Sequence, residues 1–304
     1  MRLRWTAILF MVAALFIAAT VLMTLSETKQ QANAATATVD SPYGFTDAQD
    51  NFKDSTVDYM HDLKLSWIRS QLDWARIETA PGVYDWSLLD ATVNRANAGN
   101  VNLVFPIRNA PTFHLTQTCT TTDGLFSKQF PGPADMAQFA TQIVKRYKGR
   151  IAAIQIGNEE WDNAQFGNLV ESAQCRQPRF YAPVLAAAYK AIKAVDSHVL
   201  VIDAALFWKD TQHQFDWYSY LYANGFGNRF DVGAFNYYLC NFDPAIGNGA
   251  TWPKFGDILG AIKRANNKYK MNKPIWVTES GWNINANAGR SQSVSSLKIR
   301  RHNF

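Results

Sequence analysis

The chain has 304 residues, 47% of them hydrophobic, which suits one barrel-sized domain of about 250 residues with terminal extras. Its formal charge of +5 sits at the two ends: Arg2, Arg4, Lys298, Arg300 and Arg301 carry it, Lys29 offsets Glu27, and residues 30–297 are neutral overall. No basic stripe lies on the body to hold a nucleic acid, and no Cys-x-x-Cys or His-x-x-x-His spacing suggests zinc, so neither a nucleic-acid partner nor a metal or other cofactor is expected.

In chain order, Arg2 and Arg4 precede Trp5 to Leu25, a run of 21 positions without a charge. At about 1.5 Å per residue the run can cross a bilayer core of roughly 30 Å, and the two arginines predict that everything after Leu25 is exported. Ala32-Asn33-Ala34 has the form of a cleavage site, yet the run is longer than the about 7 to 15 apolar residues of a signal peptide. Residues 1–25 therefore read as a signal peptide or as a membrane anchor. The protein is expected to be secreted, or held in the cell membrane with its folded part outside. Residues 26–41, polar and small, read as a linker.

From there strands and helices alternate. Strands are expected at Tyr43 to Phe45, Leu65 to Ser70, Val101 to Ile107, Ile151 to Gly157, His198 to Asp203, Asp231 to Phe235 and Pro274 to Thr278. Helices are expected at Asn51 to Lys64, Asp85 to Ala98, from Pro133 to Gly149, and at Pro178 to Val195, Thr211 to Asn224 and Pro253 to Tyr269. Asp85 or Ser87 supplies a cap and Gly99 a stop. Apolar runs joined by helices of this length imply a parallel sheet with right-handed crossovers. The fold class is α/β, a (β/α)8 TIM-type barrel over 42–290 in which seven units are legible and the eighth strand and helix are missing. Residues 291–304 read as a tail, and the open seam between the first and seventh strands leaves two unpaired edges. Cys119, Cys175 and Cys240 all fall in loop-like segments, where Cys119 with Cys175 forms a staple or all three are unrelated thiols.

Two glutamates close apolar strands: Glu159 after Ile154-Gln155-Ile156-Gly157-Asn158, and Glu279 after Ile275-Trp276-Val277-Thr278. The carboxyl ends of barrel strands carry the chemistry of this fold, and glycosidic cleavage needs two carboxylates there. With Trp67-Ile68-Arg69 on the second strand, Tyr237-Tyr238 after the sixth, and the run from Asp73-Trp74-Ala75-Arg76-Ile77-Glu78 to Ser87, residues 43–285 resemble clan A of the retaining glycoside hydrolases. The motif is closest to family 39, with families 5 and 42 as neighbours.

The resemblance implies Glu159 as general acid/base and Glu279 as nucleophile. It implies Asn158 on the sugar 2-hydroxyl, Arg69 pairing with Glu279, and Tyr237, in preference to Tyr238, donating to the same carboxylate. Glu160 departs from the family, which usually has proline there. Trp74, Trp161 and Trp282, with Phe113, His114, Trp208 and Trp252, stand at or past strand ends where rings stack on sugars. The expected partner is an oligo- or polysaccharide, with the membrane as a second partner if the leading segment stays uncleaved. The rival reading is a truncated barrel that binds carbohydrate, or is inert, without turning it over.

Overall fold

The computed structural model describes residues 41–47, 52–120, 126–160, 178–206, 211–240, 253–283 and 293–298, all within one compact unit, Val39–Phe304. The expected hydrophobic segment, nearly all of the linker, Trp161, Cys175, Trp208 and Trp252 lie outside those residues. Among the described residues no helix is long and apolar enough to cross a membrane.

The barrel strands are β1 (Tyr43–Asp47), β2 (Trp67–Ser70), β3 (Asn102–Arg108), β4 (Ala153–Ile156), β5 (Leu200–Ile202), β6 (Gly233–Cys240), β7 (Ile275–Asn283) and β8 (Ser293–Lys298). The first seven pair in parallel and in sequence; β5 and β6 meet through parallel bridges Ile202 to Val232 and Leu206 to Phe235. Helices α1 (Asp54–Asp62), α2 (Ser87–Ala98), α3 (Pro133–Arg146), α4 (Pro178–Val195), α5 (Thr211–Ala223) and α6 (Phe255–Lys268) follow β1 to β6 in turn.

The expected open seam is corrected. β8 pairs antiparallel with both β7, Gly281 opposite Ser295, and β1, Phe45 opposite Ser296. An antiparallel return needs no crossover helix, so residues 284–292 suffice to bring the chain back. The backbone groups of both edges gain partners, and part of the expected tail belongs to the sheet.

Period-two alternation divides the strands into two faces. Trp67, Val104, Ala153, Ile202, Val232, Ala234 and Trp276 fill the barrel interior, the two tryptophans meeting edge-on at 5.1 Å. The residues between them, such as Ile68, Phe105, Ile154, Val201, Phe235 and Val277, pack outward among the helices. Gly44 lets β1 approach β2, since a Cβ there would stand 2.1 Å from the Trp67 carbonyl oxygen. The helix starts follow the sequence signals: Asp85 Oδ1 accepts the Ser87 N–H at 2.9 Å ahead of α2, and Pro133 opens α3, whose Met136, Phe139, Ile143 and Val144 are buried.

Candidate active site

At the carboxyl ends of the strands, buried polar side chains from β2, β4, β6 and β7 form one connected network. Arg69, on the inner face of β2 two residues after Trp67, is fully buried. Its Nη1 donates to Glu279 Oε1 at 2.6 Å, its Nη2 to Asn158 Oδ1 at 2.7 Å, and its Nε to Gln155 Oε1 at 2.9 Å. Asn236 Nδ2 on β6 donates to Glu159 Oε1 at 2.9 Å and to Asn158 Oδ1 at 3.3 Å, while Thr278 Oγ1 donates to Asn236 Oδ1 at 2.8 Å. Glu159 and Glu279 are thus joined through Asn236, Asn158 and Arg69.

Local backbone irregularities aim both carboxylates. Phe235 pairs with Val277 but Asn236 with Glu279, so Thr278 is an extra residue on β7. Strict alternation from Trp276 would send Glu279 outward; the bulge returns it to the interior. After β4 the chain turns through left-handed residues, Gly157 at φ +81° and Glu159 at φ +52°. Such a conformation costs a non-glycine residue roughly 1–2 kcal/mol, and the surrounding bonds hold it: Glu159 N donates to Ala205 O at 2.7 Å, and Asn158 N to Glu160 Oε1 at 3.0 Å. Glu160, fully buried, therefore acts as a brace for the turn while Glu159 enters the network.

Glu279 takes a second donor, the Tyr238 hydroxyl, 2.5 Å from Oε2. Burial raises the Tyr238 pKa, and the charges of Glu279 and Glu159 raise it further, so the phenol keeps its proton and remains a donor. Both carboxylates thus lie within electrostatic reach of one hydroxyl.

Two expectations are corrected here. Tyr237, named for the Glu279 contact, instead donates to the Pro253 carbonyl at 3.1 Å and packs against Phe255, because it lies on the outer face of β6; Tyr238 and Asn236 share the inner one. Asn236, which the sequence reading does not single out, joins the site because its two-residue spacing from Tyr238 puts both on one face of β6. Trp74 is no sugar platform: it is fully buried, stacked 4.4 Å from Phe139 and 4.9 Å from His114, with Nε1 donating to Glu78 Oε2 at 2.6 Å. Arg69, Asn158, Glu159 and Glu279 share one hydrogen-bond network, and Trp282 closes the parallel pairing of β7 opposite Cys240.

The cluster around Trp74 has its own electrostatics. Glu78 also accepts the Gly82 N–H at 2.9 Å and lies 3.0 Å from His114 Nε2, whose Nδ1 is 3.3 Å from Asp135 Oδ1. Burial alone would raise the Glu78 pKa, but the bonds from Gly82, Trp74 and His114 outweigh it and the net shift is downward. A depressed carboxyl contributes stability above its ordinary value of 4.5 and loses it as pH falls through the lower folded value. Glu78→Gln is therefore expected to melt below the parent at pH 7, with the gap closing as pH falls below the ordinary carboxylate value of 4.5 in a series of thermal melts.

No family model matches the chain, and no curated protein matches it by sequence. Among solved structures it is similar to a family 39 glycoside hydrolase from Bacteroides cellulosilyticus WH2, at 17% identity over 81% of this chain and 50% of that one, with a TM-score of 0.61. It is also similar to the GH39 enzyme from Xanthomonas axonopodis pv. citri (17%, 79% and 51%, 0.54) and to a hyperthermophilic β-glucosidase from Pyrococcus furiosus (15%, 77% and 69%, 0.53). The chain is a (β/α)8-type barrel. It spans about half the length of the first two structures.

Proposed function

We propose that this barrel is a retaining glycoside hydrolase acting on oligo- or polysaccharides, with Glu279 as nucleophile and Glu159 as acid/base. The observation that carries the reading is that two carboxylates from strands far apart in sequence join one buried network at the carboxyl ends of the strands. Glu279 accepts from the Arg69 guanidinium through one carboxylate oxygen and from the Tyr238 hydroxyl through the other, which holds the carboxylate in one orientation. Glu159 is buried after β4 and accepts from the Asn236 amide, on the same network that reaches Glu279.

In the first step a Glu279 oxygen bonds to the anomeric carbon as the bond to the leaving oxygen breaks and the Glu159 proton passes to that oxygen. In the second, Glu159 takes a proton from water, the water oxygen bonds to the anomeric carbon, and Glu279 departs with its electron pair. The likeness to structures described as glycoside hydrolases supports a sugar substrate. The uncharged Trp5 to Leu25 segment supports action outside the cell, secreted or anchored.

The test is mass spectrometry of the digested protein after incubation with a 2-deoxy-2-fluoro aryl glycoside, which slows the second step and traps the first intermediate. A labelled peptide containing Glu279 is the expected result. Sugar binding without any label would make the barrel a carbohydrate-binding module, and label on another residue would displace Glu279 from its role.

A further inference from the structure

We infer that Gln155 is a positioning residue that sets how Arg69 delivers its charge to Glu279, an inference that rests on the two-glutamate reading. A guanidinium grips a carboxylate most strongly with two parallel N–H bonds, and the edge formed by Nε and Nη2 is suited to that grip. Here both nitrogens of that edge are taken by neutral carbonyl oxygens from one segment, Gln155 on β4 and Asn158 three residues later. Glu279 is left with a single bond, from Nη1. Its other oxygen is thereby kept for the Tyr238 hydroxyl rather than for a second guanidinium nitrogen.

The neutrality of Gln155 matters as much as its position. Arg69 and Gln155 are both fully buried, so the interaction between charges is weakly screened. Of the three acceptors on Arg69 only Glu279 is an acid, and the single positive charge is matched by one negative charge. A second carboxylate at position 155 would divide that charge. Among the described residues the titratable groups near Glu279 include Arg69 from β2, Tyr238 from β6 and, acting on the same hydroxyl, Glu159 after β4. Gln155 supplies an acceptor there without adding to this set.

The inference predicts different effects for two substitutions of similar volume. Gln155→Glu keeps the acceptor and adds charge, so the ionised nucleophile is less favoured and the acidic limb of the kcat/KM profile moves up by about one pH unit, a tenfold change in proton affinity. Gln155→Met removes the acceptor without adding charge. The acidic limb stays where it was, while the rate of inactivation by the 2-deoxy-2-fluoro glycoside falls by about tenfold to a hundredfold and KM changes little, because the misaligned group is the nucleophile.

Both variants are assayed on an aryl glycoside beside the parent, with thermal melts to confirm folding. A purely structural role would lower activity in proportion to folded protein and move neither readout. Unmoved limbs in both variants together with a parental inactivation rate in Gln155→Met overturn the inference; should Gln155→Glu not fold, the Met variant decides alone. Absence of label on Glu279 in the parent would overturn the underlying reading instead, so the two failures are distinguishable.

Discussion

Glu279→Ala is expected to lower kcat on aryl glycosides by at least about 10⁴-fold, because in the proposed mechanism Glu279 forms the bond to the anomeric carbon. Adding azide is expected to restore turnover and to yield a glycosyl azide of inverted configuration, since a small anion fits where the carboxylate was and attacks from the same side. Glu159→Ala is expected to behave differently. General acid catalysis contributes roughly 10²–10⁴-fold, and that share depends on how badly the leaving oxygen needs a proton. Its loss is therefore large with a phenol or a sugar as leaving group and small for the first step with a dinitrophenolate. Azide then relieves the second step and gives the retained azide. Opposite stereochemistry from the two variants, read by NMR of the products, assigns each carboxylate its role. Inverted azide from both would remove the distinction between Glu159 and Glu279.

How much of this was visible in the residues alone varies with the kind of order involved. The seven parallel units were legible because buried parallel strands are short apolar runs and their helices carry strong punctuation, as at Pro133. Arg69, Asn158, Glu159 and Glu279 were legible because strand ends collect chemistry in this architecture. Tyr238 was passed over for Tyr237 because face depends on register, and counting inward from Ala234 gives Asn236 and Tyr238. The bulge at Thr278 that brings Glu279 inside leaves no compositional trace, for the extra residue is an ordinary strand former. Trp74 looked like other tryptophans past a strand end; its burial is decided by Phe139, more than sixty positions away, although Glu78 at the next helical turn hinted at an indole acceptor. The polar segment 293–298 lacked the apolar pattern of a buried strand, and it enters the sheet by pairing backbone groups on two open edges.

Arg69→Met is expected to cost about 3–5 kcal/mol of stability as well as most activity, a larger stability effect than any surface substitution would have. The reason is asymmetric. The methionine fills the space, but the buried Glu279 loses its cation, and the oxygens of Asn158 and Gln155 each lose a donor. The cost should depend on pH in a definite sense. A buried carboxylate deprived of its cation is relieved by taking up a proton, so the folded variant binds more protons than its unfolded chain and gains stability relative to the parent as pH falls. Pairing the change with Glu279→Gln removes the stranded charge, and the double variant is expected to recover about half or more of the lost stability while remaining inactive. A thermodynamic cycle from calorimetry on the four proteins measures that coupling. Additive losses would mean that Arg69 and Glu279 do not share their burial energetically, and the charge-delivery role assigned to Arg69 would fall with that result.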